Sequence, residues 1–247
     1  MNSGYDISTD TYSPEGRVFQ IEYAAKAVDL QGTAIGICCN DGVVVGMEKL
    51  LPSNHVEKSA LQRVFSIDKH CGVCIAGSQP DGLMLVRQAR EECASYRRLN
   101  GKPILGPVLA MRLSEFLHLF TLYGSYRPLG CAAILATYGD DGPKLSMIEP
   151  SGVSTQFMAC AAGKAKTEAK SELEKIDFSS ITCTDAVALI QKILHSLHDS
   201  AKDKYFHYEI GWISKETDKV FQLIADELLV PYSGAPIAEE SGDMNVD

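Results

Sequence analysis

Tyr12-Ser13-Pro14-Glu15-Gly16-Arg17-Val18-Phe19-Gln20-Ile21-Glu22-Tyr23-Ala24 is the stretch from which the fold can be read. Ser13, Pro14 and Gly16 predict a turn, because proline holds φ at about −65° and glycine adopts conformations that other residues avoid. A helix is expected from Phe19 to Leu30, since Phe19, Tyr23, Ala27 and Leu30 recur at helical spacing and make one apolar stripe. Glu22 and Lys26, four apart with the acid first, suit the same helix. Gly32 marks its end. An aromatic-lined helix ahead of the first strand-like run has nothing upstream to pack on. Its stripe must cover the later domain or another chain.

Outward from that stretch, the chain alternates strand groups with helix pairs. Thr33–Cys39 and Gly42–Met47 are apolar, β-branched runs separated by Asn40-Asp41-Gly42, a hairpin signal. Short strands are expected around Val64–Ile67 and Val73–Ala76. A helix follows from Pro80, with Leu83, Val86, Ala89 or Arg90, Cys93 and Tyr96 inward, and Asn100-Gly101-Lys102-Pro103 stops it. A second helix runs from near Ile104 to Tyr123 and is wide in its apolar arc. The short link makes the two antiparallel neighbours. Strands return at Cys131–Tyr138, Leu145–Ile148 and Val153–Cys160. A charged helix is expected from Gly163 to about Lys175, and Thr182-Cys183-Thr184-Asp185 has capping-box spacing for another. Phe206, Tyr208, Ile210 and Trp212 alternate with Tyr205, His207, Glu209 and Gly211 as in a half-buried strand. Val220–Ile224 is the last strand. Residues 1–11 are polar, and residues 231–247 are acidic and expected to be flexible. The order predicts one layered α+β domain over residues 1–247, with helices covering a central stack of sheet.

Composition narrows the class. With 247 residues and 45% hydrophobic side chains, the chain can bury a full core. Its net charge of −9, from 23 basic and 32 acidic residues, argues against a nucleic-acid binder. No apolar run reaches the roughly eighteen residues of a membrane span, so no membrane partner is expected. No apolar N-terminal segment suggests secretion. Cys71-Gly72-Val73-Cys74 is formally C-x-x-C, but strand alternation sends its two sulfurs to opposite faces. The eight cysteines therefore read as buried thiols of a reducing compartment.

The opening stretch resembles the N-terminal signature of proteasome alpha subunits, through aromatic-Ser-Pro-acid-Gly-Arg-x-x-Gln-x-Glu-Tyr-Ala. Arg127-Pro128-Leu129-Gly130 and Pro150-Ser151-Gly152 are similar to further family motifs. Gly4-Tyr5-Asp6, Ala25-Lys26-Ala27-Val28 and the run from Met147 to Ala162 single out one subunit type within that family. The resemblance spans about residues 5 to 230. It implies the four-layer αββα sandwich of the N-terminal-nucleophile hydrolases. It also implies a non-catalytic ring subunit of the 20S core particle, acting in ATP- and ubiquitin-dependent protein degradation in cytoplasm and nucleus. Its implied partners are neighbouring alpha subunits, beta-ring subunits, and a regulatory particle or other activators that dock through C-terminal peptides.

The resemblance further assigns residues 1–11 to a gate tail, positioned by Tyr5, Asp6, Pro14 and Tyr23. Ile7 stands where the family commonly has arginine, so a salt bridge through that position is lost. Arg63 matches a lysine that meets activator C-termini, and an arginine can grip a carboxylate with two parallel hydrogen bonds.

Catalytic chemistry is the competing reading. The related beta subunits use an N-terminal threonine whose own amine is the base. Here Gly32, or by a looser match Thr33, falls near that position, behind an intact extension. Glu48 and Arg63 fall near the family's acidic and lysine positions, but no free terminal amine exists, so no catalytic residue is assigned. A solitary scaffold is the third reading. His195 and His198 are three apart on a predicted helix, without the companions of a metal motif, and Gly77, Gly82 and Gly163 form no phosphate loop. No metal and no cofactor are expected. The Lys/Glu-rich run from Lys164 to Lys175 reads as a solvated helix face.

Overall fold

The computed structural model describes residues 4–53, 55–57, 59–178, 180–199, 205–225 and 229. The expected acidic tail, 231–247, lies outside them.

A short 3-10 turn at Gly4–Asp6 precedes α1 (Phe19–Asp29). The turn between them forms as expected: Gly16 has φ +76°, its N–H donates to the Ser13 carbonyl, and Ser13 N–H donates to the Arg17 carbonyl. Then follow β1 (Ala34–Cys38), β2 (Gly42–Leu50), β3 (Val64–Asp68), β4 (Cys71–Gly77), α2 (Gln79–Asn100), α3 (Gly106–Leu119), β5 (Cys131–Gly139), β6 (Gly142–Ile148), β7 (Ser154–Phe157), β8 (Ala159–Ala162), α4 (Lys166–Leu173), α5 (Cys183–Leu197), β9 (Phe206–Ser214) and β10 (Gln222–Leu223).

The strands form two five-stranded antiparallel sheets, ordered β10-β9-β2-β1-β8 and β3-β4-β5-β6-β7. Three apolar layers hold the stack. Ala34, Val43, Val45, Met47, Ile134, Leu145 and Ile213 fill the space between the sheets. Phe65, Ile75, Leu85, Leu109, Leu113 and Leu135 join the second sheet to α2 and α3. Ile35, Ile37, Val44, Ile190, Leu194 and Ile210 join the first sheet to α4 and α5. This is the αββα sandwich. Central strands covered on both faces are buried along almost their whole length and largely apolar, as β1 and β5 are. Alternation separates Cys71, on the α2–α3 side, from Cys74, between the sheets.

Several expectations are corrected. On α1 the fully buried residues are Ala24 and Val28, whereas Tyr23 is 40% and Leu30 76% exposed. The helix sits close to backbone: Val28 packs against Gly77, and Ala27 against Gly130. Only small residues fit that face, so the aromatic stripe turns outward. Glu22 pairs with Arg17 rather than Lys26, whose ammonium lies over the Tyr23 ring. The expected single strand Val153–Cys160 breaks at Met158. Its first half pairs with β6 and its second half with β1, so the chain changes sheet there. Leu83 is exposed and Leu85 takes its place inside. The helices α3 and α4 are shorter than expected, and β10 is two residues long. Glu209 and Gly211 of β9 face the second sheet rather than solvent. The Thr182 cap forms as read: its hydroxyl oxygen accepts from Asp185 N–H at 3.2 Å and donates to the Asp185 carboxylate at 2.7 Å. Among the described residues no helix is long and apolar enough to cross a membrane.

Arg127-Pro128-Leu129-Gly130 is a structural clamp. Asp81, in the first turn of α2, accepts two hydrogen bonds from the Arg127 guanidinium, at 2.7 and 2.8 Å, and one from Gly130 N–H at 2.8 Å. Burial raises the Asp81 pKa, but the bonds from Arg127 and Gly130 outweigh it and leave the carboxyl below its ordinary value. A depressed carboxylate contributes stability above its unfolded pKa, and that contribution is lost as pH falls through the lower folded value. We expect Asp81→Ala to cost about 1–3 kcal/mol near neutral pH, chiefly by orphaning the buried Gly130 N–H. Urea unfolding across acidic pH should show wild type losing its advantage over the mutant below about pH 4. A constant difference would remove Asp81 from the acid limb.

Candidate functional site

Two regions hold the residues singled out in the sequence: the lead-in to β1, and the N-terminal segment with α1.

The lead-in is sealed. A Cβ on Gly32 would stand 2.0 Å from the Glu48 carbonyl oxygen, so no side chain fits there. Glu48 N–H donates to the Thr33 carbonyl, and Lys164 N–H donates to that of Gln31, both at 2.9 Å. Thr33 is buried, and its hydroxyl accepts from Ala165 N–H at 3.2 Å. Its nitrogen is a peptide nitrogen. The hydroxyl is thus a structural acceptor with no amine beside it to take its proton.

The acidic and basic positions are also engaged. The buried Glu48 carboxylate contacts His198 Nδ1 at the end of α5, and the His198 ring lies 3.7 Å, centroid to centroid, from that of Phe206. Arg63 does not meet Glu48. It is half-buried, and one guanidinium N–H donates to the Gly77 carbonyl at 2.6 Å. Burial draws its pKa below the ordinary arginine value. Sequence reasoning missed Glu209, which holds this end of β3: its carboxylate accepts from Arg63 N–H at 2.5 Å and Val64 N–H at 3.0 Å. Alternation on β9 placed Glu209 opposite Ile210, and only the second sheet shows why that position needs an acceptor. Glu209 also lines a cavity of about 250 Å³ with Lys49, Ser59, His207 and Leu223. Lys49 is fully buried, which its position at the end of an apolar run did not announce. His195 and His198 go to different partners, Tyr208 and Glu48, and share no site.

The N-terminal segment is docked. Thr9 is buried, and its hydroxyl donates to the Tyr123 carbonyl at 3.0 Å. The Asp6 carbonyl accepts from the Gln20 side chain. Gln20 belongs to the signature pattern, whereas Thr9 was not picked out in the sequence. Tyr5 and Pro14 are exposed, and Tyr23 stacks on Phe19 with centroids 6.4 Å apart. Among the described residues no hydrogen bond joins the side chains of Tyr5, Asp6, Pro14 and Tyr23. Each lies at the surface or half-buried on the same N-terminal region.

A sandwich of this form whose first strand starts from a sealed, peptide-bonded residue is an N-terminal-nucleophile fold without its nucleophile. Comparison with known proteins is consistent with that geometry. Residues 28–213 match the family model described as proteasome subunit, and residues 5–27 match the N-terminal signature of the A-type proteasome subunits. The chain is 45% identical to proteasome subunit alpha type-3 of Arabidopsis thaliana over 229 residues, 93% of this chain and 92% of that protein. It is 45% identical to proteasome subunit alpha type-3 of Dictyostelium discoideum, over 92% of both chains. It is 42% identical to the probable proteasome subunit alpha type-7 of Schizosaccharomyces pombe, over 93% of this chain and 90% of that protein. The chain belongs to the alpha-type proteasome subunits, the non-catalytic type. Within them it is similar to the subunits named alpha type-3, which carry the name alpha type-7 in Schizosaccharomyces pombe, the subtype singled out by Gly4-Tyr5-Asp6, Ala25-Lys26-Ala27-Val28 and the run Met147–Ala162.

Glu209→Ala removes the acceptor of two backbone N–H groups at once. We expect it to lower stability by about 2–4 kcal/mol, and Glu209→Gln, which keeps an oxygen, by less. Denaturant midpoints of the two variants check this ordering. Equal losses would assign Glu209 a role through its charge alone.

Proposed function

We propose that this subunit forms part of the gated entrance of the 20S core, and that its surface docks activators that feed ATP- and ubiquitin-dependent protein degradation in cytoplasm and nucleus. Its partners in this reading are neighbouring alpha subunits, beta-ring subunits, and a regulatory particle or other activators. The observation that carries the reading is the outward, aromatic face of α1 beside an N-terminal segment anchored at Thr9. Tyr23, Leu30, Ile7 and Tyr12 are large apolar groups left uncovered by their own chain. Such a group of side chains marks an interaction surface. In this reading Tyr5, Asp6, Pro14 and Tyr23 set the position of the tail among its neighbours. With Ile7 in place of arginine, this tail contributes less than tails that keep the charge.

Deleting residues 2–11 tests the gate. The assembled latent particle should hydrolyse small peptides faster, with unchanged cleavage specificity. If uptake is unchanged, a paired deletion in a neighbouring alpha subunit separates redundancy from error. A particle still latent after both deletions overturns the gating role.

Arg63 carries the docking part of the proposal. Its fork has five N–H donors, and the Gly77 carbonyl takes one. Arg63→Ala should weaken a single activator C-terminal peptide about tenfold, equivalent to about 1.4 kcal/mol, without changing assembly. Single peptides are the right probe, because a multivalent activator masks the loss of one pocket. Equal peptide affinity for wild-type and mutant rings would count against Arg63.

A further inference from the structure

We propose that Cys39, Asp41 and Cys183 form a binding site for one thiophilic divalent cation of the zinc class, where the β1–β2 hairpin meets the start of α5. Among the described residues, one sulfur from each cysteine and one carboxylate oxygen of Asp41 lie within 4.8 Å of one another. Tetrahedral zinc, with bonds of about 2.3 Å to sulfur and 2.0 Å to oxygen, holds its donors roughly 3.5–3.8 Å apart. Closing the cluster around a cation takes movement on the order of an ångström.

The donors are held by backbone, not by chance contact of long side chains. Cys183 N–H donates to Asp41 Oδ1 at 2.9 Å, which aims the carboxylate at the first residue of α5. Asn40 N–H donates to the Ile181 carbonyl at 3.2 Å, and Lys215 N–H to that of Asp41 at 3.0 Å. Cys39 N–H closes the hairpin on the Gly42 carbonyl at 2.8 Å. Gly42 is part of the design: a Cβ there would stand 2.8 Å from Cys183 Sγ. The bare backbone lets that sulfur lie against the hairpin.

The donor set selects the cation. Two thiolates favour a soft or borderline ion over magnesium or calcium, and the carboxylate suits zinc. Both cysteines are buried, while Asp41 is half-buried, so the site opens to water on the carboxylate side. Water completes four-coordination there. Binding converts two thiols to thiolates and releases two protons to solvent. With the carboxylate the ligands carry three negative charges against the cation's two, and the N-terminus of the fifteen-residue α5 offsets the remainder. Cys71 and Cys93, 4.0 Å apart, offer two sulfurs but belong to no such three-donor group among the described residues. They provide the internal control.

The test is titration of the reduced full-length chain with Co²⁺ in the absence of oxygen. Wild type should take up one Co²⁺ per chain with a thiolate-to-cobalt charge-transfer absorption, which Zn²⁺ then displaces. Cys39→Ser and Cys183→Ser should each abolish the absorption, while Cys93→Ser retains it. Asp41→Asn keeps an oxygen for Cys183 N–H and so keeps the helix start. It should retain the fold by circular dichroism and bind at least tenfold more weakly. No charge-transfer absorption in wild type overturns the site. Absorption that survives Cys39→Ser or Cys183→Ser, or undiminished affinity in Asp41→Asn, does so as well.

Discussion

The contact on which the rest of the structure depends is that of Gly32 with the Glu48 carbonyl, at the start of β1. There the backbone of the lead-in touches the neighbouring strand with no room for a side chain. Glu48 N–H to the Thr33 carbonyl, Lys164 N–H to the Gln31 carbonyl and Ala165 N–H to the Thr33 hydroxyl fasten the same point from both sides. Chemically, this turns the place of a nucleophile into a structural corner, because a hydroxyl that accepts from a backbone amide and follows a peptide bond has no base to activate it. Topologically, it forces the preceding residues out of the sheet. They become α1, which crosses the β4–β5 end where Gly77 and Gly130 permit close approach.

Charge placement extends that arrangement. Lys166 at the start of α4 reaches Asp29 at the end of α1, with both oxygens at 2.7 Å, and so ties the added helix to the layer behind the first sheet. Asp81 and Arg127 tie α2 to the turn before β5, which in turn supports α1 through Gly130. Glu209 joins the sheet edges. Exposed ion pairs contribute little. Those with a buried carboxylate that also accepts backbone N–H bonds contribute more, because removing the acceptor orphans a buried donor. Asp81 is of this second kind, and the half-buried Glu209 acts in the same way through the two backbone N–H groups it accepts from.

The order of elements was legible because turn residues and apolar periods are local. Asn40-Asp41-Gly42, Asn100–Pro103 and Thr182–Asp185 each mark a boundary that the structure keeps. What the sequence hid is what depends on a partner surface. The α1 stripe could not be oriented, since Ala24 and Val28 repeat as regularly as Phe19 and Tyr23 and only the glycines of distant turns decide between them. The sheet switch at Met158 has no glycine or proline to mark it; the Cys38 N–H bond to the Met158 carbonyl fixes it from across the fold. Glu209 looked like the solvent side of a half-buried strand because the second sheet above it is not visible in local alternation. Cys39, Asp41 and Cys183 escaped notice for the same reason: their spacing is no metal motif, and only the hairpin's contact with α5 brings them together.

The N-terminal segment shows how such long-range contacts divide a surface between the chain and its neighbours. It is pinned at two points, by Thr9 on the Tyr123 carbonyl and by the Asp6 carbonyl on Gln20. A segment held at two points has lost much of its conformational entropy before any partner arrives, so a partner that contacts it pays less for ordering. The residues between and beyond those points, Ile7 at 85% exposure and Tyr12 at 71%, are large and apolar and gain nothing from their own fold. In-chain bonds therefore fix where the segment leaves the body, while its uncovered side chains, with those of α1, form a group of large apolar residues that the chain itself does not bury.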